Sequence, residues 1–116
     1  MLKKQTVSNR GARVASVVQK FVAEILRDDY SEDPAVSRVS IVGADSAAGL
    51  QFVKLFYYVR GADGVQRRLD AITPAVRREL ARRMNQKFVP EIRFAYDDTL
   101  EKSARIDQLL ANIEKE

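Results

Sequence analysis

The chain has 116 residues, 46% of them hydrophobic and 31% charged, the balance of a single soluble globular domain. It contains no Cys and no His, which excludes a disulfide framework, a thiolate nucleophile, Cys-ligated metal and the commonest general base and metal ligand. Its net charge of +4 divides unevenly: Asp97, Asp98, Glu101, Asp107, Glu114 and Glu116 outweigh Lys102, Arg105 and Lys115, so residues 97–116 carry −3 and residues 1–96 carry +7. A basic body with an acidic tail suits a polyanionic partner. No apolar run approaches a membrane span and Met1–Val7 lacks the apolar core of a signal peptide, so a cytoplasmic location is expected.

Residues 1–9 read as a polar, mobile arm. Its Lys3 and Lys4, with Arg10 and Arg13, either extend the basic surface or hang free of it. From Arg10 to Arg27 the apolar residues follow helical spacing: Val14, Val17, Val18, Phe21 and Ile25, widened by Val22 and Leu26 into a stripe fit to lie on a sheet. Asp28 to Pro34 closes this helix. Val39 and Ile41 alternate with Arg38 and Ser40, which predicts a half-buried strand to about Val42, and the Ala- and Ser-rich stretch from Gly43 to Gly49 predicts a hairpin turn. Leu50 to Arg60 is the clearest strand. Val53, Leu55, Tyr57 and Val59 share one face; Phe52, Lys54, Phe56 and Tyr58 share the other. An aromatic face with a lysine among the rings can stack bases and hold phosphate, or it can serve packing alone.

Asp63 is the expected N-cap of the next helix, with Gln66 at the capping-box position. Val65, Leu69 and Ile72 face inward there, and Arg67 and Arg68 outward. Thr73 reads as a second N-cap with Pro74 at the first helical position, because in an unbroken helix the Pro74 ring would clash with the Asp70 carbonyl. Two short helices meeting at a bend are predicted. The fresh N-terminus between them, flanked by arginines, suits a phosphate. Beyond it Val76, Leu80 and Met84 define a buried stripe, Arg78 and Arg82 point away from it, and Arg77 and Arg83 flank it. Only Glu79 opposes these arginines within the helix, so no structural ion-pair network is predicted among them. The arginines are then either a solvated face or an RNA contact.

Phe88 to Tyr96 reads as the last strand, with Phe88, Ile92 and Phe94 around Pro90. Asp97-Asp98-Thr99 reads as a helix cap rather than a catalytic carboxylate pair. Ile106, Leu109, Leu110 and Ile113 give the acidic tail an amphipathic stripe, and the charge asymmetry suggests that it folds against the basic body in the free protein. The expected organisation is an arm (1–9), a body (10–96) and a tail (97–116). Without His, Cys or clustered carboxylates, neither an enzyme nor a metal site nor a cofactor is expected.

The order helix–strand–strand–helix–bend–helix–strand has helices enough for one face of a three-stranded sheet. It is the α+β arrangement of a type II KH-like domain, an RNA-binding module. Arg10-Gly-Ala-Arg-Val14 with Ile25-Leu26, Val39-Ser-Ile-Val42 with Ser46 and Leu50, Val89-Pro-Glu-Ile-Arg-Phe94 followed by Asp97, and Arg105-Ile106 with Leu109 together resemble the ribosome-binding factor A family over about residues 8–110. The resemblance implies a non-enzymatic factor that associates with the free small ribosomal subunit and assists late processing and folding of its rRNA, near the 5′-terminal helix and the decoding region. Many members carry an Ala-x-Gly kink between the two helices. Here the aligned stretch is Ile72-Thr73-Pro74, and the Thr73 hydroxyl with the N–H groups of Ala75 and Val76 would have to substitute. A glycine common in the family beside the Arg105-Ile106 pair is Ser103 in this chain. The expected RNA-binding residues are Lys54, Arg67, Arg68, Thr73, Pro74, Arg77, Arg78, Arg82, Arg83 and Lys87, acting in a monomer on small-subunit rRNA, with no membrane partner. The alternatives are a general KH-type RNA chaperone and a protein-binding adaptor using the tail as a docking helix.

Overall fold

A computed structural model of the chain describes residues 2–47, 51–86, 89–99 and 102. Helix α1 (Leu2–Asp29) leads through a 3₁₀ turn (Val36–Arg38) to strands β1 (Ser40–Ala47) and β2 (Phe52–Tyr58). Helix α2 (Val65–Met84) and strand β3 (Glu91–Tyr96) follow. The strands form one sheet in the order β1-β2-β3, β2 running antiparallel to β1 and parallel to β3. On β2 the predicted alternation holds: Val53, Leu55, Tyr57 and Val59 are buried under the helices, and Phe52, Lys54, Phe56 and Tyr58 lie on the face the helices leave open. Ile92 and Phe94 of β3 join the covered face beside Val53 and Leu55. This is the expected α+β architecture, with one core between a helical layer and one side of a sheet.

Helix α1 starts at Leu2, so its backbone takes in residues 2–9, where a separate arm was expected. Its buried stripe is Ala15, Val18, Val22, Ile25 and Leu26. Val17 is 41% exposed, since 100° per residue sets it about 140° from the centre of that stripe. After the helix, Asp33 organises the connection: its Oδ1 accepts the N–H groups of Ala35 and Val36 at 3.0 Å each, and its Oδ2 accepts from Arg68 Nε at 2.7 Å. The Val36 N–H, then the Arg68 guanidinium, hold the Asp33 carboxyl below its usual range.

Strand β1 runs on to Ala47, past the point where a turn was expected from Gly43. Gly43, Ala44, Asp45 and Ser46 pair with Phe56, Leu55, Lys54 and Val53. A bulge between Ile41 and Gly43 absorbs one residue and lets the ladder continue, leaving Val42 exposed. Gly43 lies beside Phe56, which a Cβ at that position would meet at ordinary van der Waals distance. Residues 48–50 and Phe88 are outside the described residues.

The largest correction concerns Pro74. The chain forms a single helix from Val65 to Met84 with Pro74 inside it, not two helices at a break. The reason is the apolar stripe: Val65, Leu69, Ile72, Val76 and Leu80 are all buried and keep one helical phase across the proline. Breaking the helix would lift one half of that stripe off the sheet, a larger cost than the one hydrogen bond and local clash of a mid-helix proline, about 3 kcal/mol. The Asp70 carbonyl, which loses its N–H partner, belongs to an exposed residue. Next to it, Thr73 donates its hydroxyl to the Leu69 carbonyl at 2.7 Å, instead of capping a new helix.

At its start, α2 is capped by Gly64 in the left-handed region (φ 78°), not by Asp63, and no side chain caps it. Gln66 consequently has no box to close. It accepts from Tyr57 Oη at 2.8 Å and donates to the Phe94 carbonyl at 2.8 Å and to Asp70 Oδ1 at 2.9 Å, tying helix, central strand and last strand together. At its end Asn85 is left-handed (φ 53°), with Asn85 N–H on the Arg82 carbonyl and Gln86 N–H on the Ala81 carbonyl, a Schellman closure. After β3, Asp97 Oδ1 accepts the Thr99 N–H at 2.9 Å, the cap role expected of it. The predicted tail stripe of Ile106, Leu109, Leu110 and Ile113 is outside the described residues.

Candidate nucleic-acid interface

Two positions on from each buried residue of α2 lies the opposite side of the helix, because two residues turn it by 200°. That outer line is Arg67, Ala71, Pro74, Arg78 and Arg82, every one of them exposed. Its centre is small and smooth, and its ends are cationic. Eleven residues at 1.5 Å rise put Arg67 and Arg78 about 16 Å apart along the axis. Among the described residues neither makes an ion pair or a side-chain hydrogen bond, so both guanidinium groups are available to an incoming anion. The proline contributes shape alone. With the helix unbroken there is no second N-terminus, and Ala75 and Val76 sit in the helix interior, their N–H groups directed to carbonyls four residues back.

The other arginines of α2 have structural partners. Arg68 is paired with Asp33 at 2.7 Å. Arg77 reaches the approach to β3, donating from Nε to the Pro90 carbonyl at 3.2 Å and from Nη2 to the Val89 carbonyl at 3.1 Å. Arg82 lies on Glu79, Nε to Oε1 at 2.9 Å. Arg83 bonds Glu79 Oε2 at 2.8 Å and Asp28 Oδ2 at 3.0 Å, with Glu24 and Asp29 of α1 each 3.9 Å away. This overturns the expectation that no ion-pair network would form: Glu79 is the one carboxylate of α2 beyond Pro74, but α1 brings three more to Arg83. Hydrogen bonds from Arg82 and then Arg83 pull the Glu79 carboxyl down to about 2, and the same contacts raise both arginines further above their usual range.

A second cationic area occupies the open sheet face. Lys54 Nζ stands 5.8 Å from the Phe56 ring centroid, and Arg93 of β3 lies 4.9 Å over Phe52. Tyr58 stacks on Tyr96 at 6.1 Å. Asp45, opposite Lys54 in register, and Glu91, opposite Phe52, put two carboxylates on the same face. Arg93 is absent from the expected set, although its place between Ile92 and Phe94 in an alternating strand is enough to put it beside Lys54. Of the expected site residues, the structure thus brings Arg67, Pro74, Arg78 and Arg82 into one line. It gives Arg68, Thr73, Arg77 and Arg83 internal partners and sets Lys54 on a different face; Lys87 is outside the described residues. No group of His, Cys, Asp or Glu among the described residues is arranged to hold a metal ion, and no helix among them is long and apolar enough to cross a membrane.

Comparison with known proteins agrees with this architecture. Residues 10–110 match the family Ribosome-binding factor A. The chain is 32% identical over 112 residues to ribosome-binding factor A of Geobacter sulfurreducens, covering 93% of this chain and 94% of that protein. It is 33% identical over 114 residues to that of Lacticaseibacillus casei, covering 94% and 97%. Among solved structures it is similar to the crystal structure of ribosome-binding factor A from Thermus thermophilus, with a TM-score of 0.64 at 18% identity, covering 74% of this chain and 94% of that one. It is similar also to coordinates of the Thermus thermophilus protein fitted into a cryo-electron-microscopy map of its 30S complex, with a TM-score of 0.65 at 18% identity, covering 75% and 94%. Shared sequence over nearly its whole length, and a shared fold of two helices on one face of a mixed sheet, establish that the chain belongs to the ribosome-binding factor A family.

Proposed function

We propose that this chain is a ribosome maturation factor that binds the free small ribosomal subunit and assists late processing and folding of its rRNA. The observation that carries the reading to particular residues is the outer line of α2, where Arg67 and Arg78 stand exposed and, among the described residues, unpaired on either side of a low, smooth centre at Ala71 and Pro74. Two fixed cations on a rigid rod read the spacing of phosphates, not base identity, which suits a folded rRNA surface. The family points to the same partner, since the Thermus thermophilus relative has been fitted into a 30S complex.

No chemistry is asked of the protein: it acts by binding, in the compartment where ribosomal subunits assemble, as a factor without catalytic residues. Arg68, Arg77 and Arg83 support the interface by holding α2 in place. Lys54 and Arg93 offer further cationic contacts on the sheet. A tagged chain sedimented from cell extract should travel with free small subunits, be absent from complete ribosomes, and leave the subunits at high salt. Replacing Arg67 and Arg78 together by Glu should lower subunit affinity more than about ten-fold at low salt and reduce the log–log salt slope by about 2, with folding unaffected. An unchanged affinity would place the RNA surface elsewhere on the molecule.

A further inference from the structure

Adjacent arginines near the end of α2 are held very differently. The Arg83 side chain is 17% exposed and is bonded to carboxylates from both helices, Glu79 on α2 and Asp28 on α1. The Arg82 side chain is 72% exposed, lies on the outer line with Arg67 and Arg78, and among the described residues has only Glu79 as a partner. Glu79 presents both carboxylate oxygens to it, Oε1 to Nε and Oε2 to Nη2. A phosphate presents the same pair of oxygens to a guanidinium fork. Glu79 therefore occupies in the free protein the site on Arg82 that an RNA phosphate would take.

We infer that Glu79 is an internal competitor for RNA phosphate: Arg82 is passed from Glu79 to the rRNA backbone on binding and returned on release, while Arg83 remains the tie between α1 and α2. The inference rests on the reading of α2 as the RNA-binding surface. Exchange is open to Arg82 because its fork faces solvent and its one partner sits on the same helix. It is closed to Arg83, whose departure would leave Asp28 without its guanidinium partner and remove the ion-pair tie between the helices. Glu79 keeps its charge throughout, so on the complex it stands close to a phosphate and favours dissociation. A factor that must leave the subunit gains a release step that requires no ligand, and the third arginine of the line contributes to selectivity, since only a phosphate well placed for bidentate contact displaces the carboxylate.

The test is a double-mutant cycle with the full chain and purified free small ribosomal subunits, reading affinity and dissociation rate across a salt series. Glu79→Gln should bind about two- to five-fold tighter, chiefly through slower release. Glu32→Gln, at an exposed carboxylate outside α2 with no arginine of the outer line bonded to it among the described residues, makes the same change in net charge and should alter affinity much less. In an Arg82→Ala background the gain from Glu79→Gln should vanish. Arg82→Ala alone touches nothing in the core, and should weaken binding and reduce the salt slope by about 1. A gain equal to that of Glu32→Gln, a gain that survives without Arg82, or an Arg82→Ala protein that binds like the parent would each overturn the inference. If those results came while Arg67→Glu with Arg78→Glu still lowered affinity more than about ten-fold, only the competition would fail. If that pair also bound normally, the assignment of α2 as the RNA surface would fail with it.

Discussion

The two ends of α2 are anchored by different physics. At the N-terminal end, Gln66 joins Tyr57 and Phe94 through neutral hydrogen bonds beside the buried Leu69 and Val65. At the C-terminal end, Arg83 joins α1 through carboxylates that remain partly open to water. The first anchor is short-ranged and indifferent to ions; the second weakens as salt rises. A helix held this way is fixed along its length by its buried stripe, and its C-terminal end carries an additional attachment that follows the ionic environment. Its exposed arginines Arg67 and Arg78 are free for a ligand, whereas Arg82 and Arg83 at the C-terminal end are already engaged within the protein.

Four measurements probe that contrast. Leu69→Ala removes buried volume at the fixed end and should cost about 2–5 kcal/mol in denaturant unfolding; a loss below about 1 kcal/mol would mean that the N-terminal end is not the anchor. Gln66→Ala leaves the Tyr57 hydroxyl and the Phe94 carbonyl without their partner and should cost about 1–3 kcal/mol, equally at low and high salt. Arg83→Ala should destabilise the protein less than either, and the difference from the parent should shrink toward nothing near about 1 M salt. The smallest effect is in acid. Glu79 titrates at about 2 in the folded chain and at 4.5 ordinarily, so the stability it adds is complete above the ordinary value and is lost as pH falls through the folded one. Glu79→Gln should flatten the acid side of a melting-temperature profile in that window. An unaltered profile would assign the acid limb to Asp33 and Asp97, whose carboxyls are also lowered.

How far the sequence can be read depends on the range of the forces at each place. The alternation on β2 and the four-residue rhythm of Val76, Leu80 and Met84 are local periodicities that burial enforces directly, and both appear in the fold as expected. Pro74 misleads because its local penalty is plain in the sequence, while the stripe that outweighs it runs the full length of the helix. Strand β1 reads too short because Gly43, Ala44 and Ser46 look like turn residues until they are seen on an edge with a bulge beneath them. Asp63 and Gln66 fit a capping box by spacing, yet Gly64 turns the chain first and frees Gln66 for the sheet. The candidate site is legible as a set of arginines but not as a division of roles, because the carboxylates that engage Arg68 and Arg83 come from distant stretches of the sequence.

The three-way contact of Gln66 has a consequence for how the chain acquires its structure. Tyr57, Gln66 and Phe94 belong to three successive elements, and the parallel pairing of β3 with β2 requires α2 to have crossed the sheet beforehand. During synthesis the α1–β1–β2 portion can collapse early, but the Phe94 carbonyl reaches Gln66 only after the last strand has emerged. The chain contains no Trp, and Tyr57 is the tyrosine buried in its core, so the changing environment of that one phenol marks the moment at which the nascent protein closes.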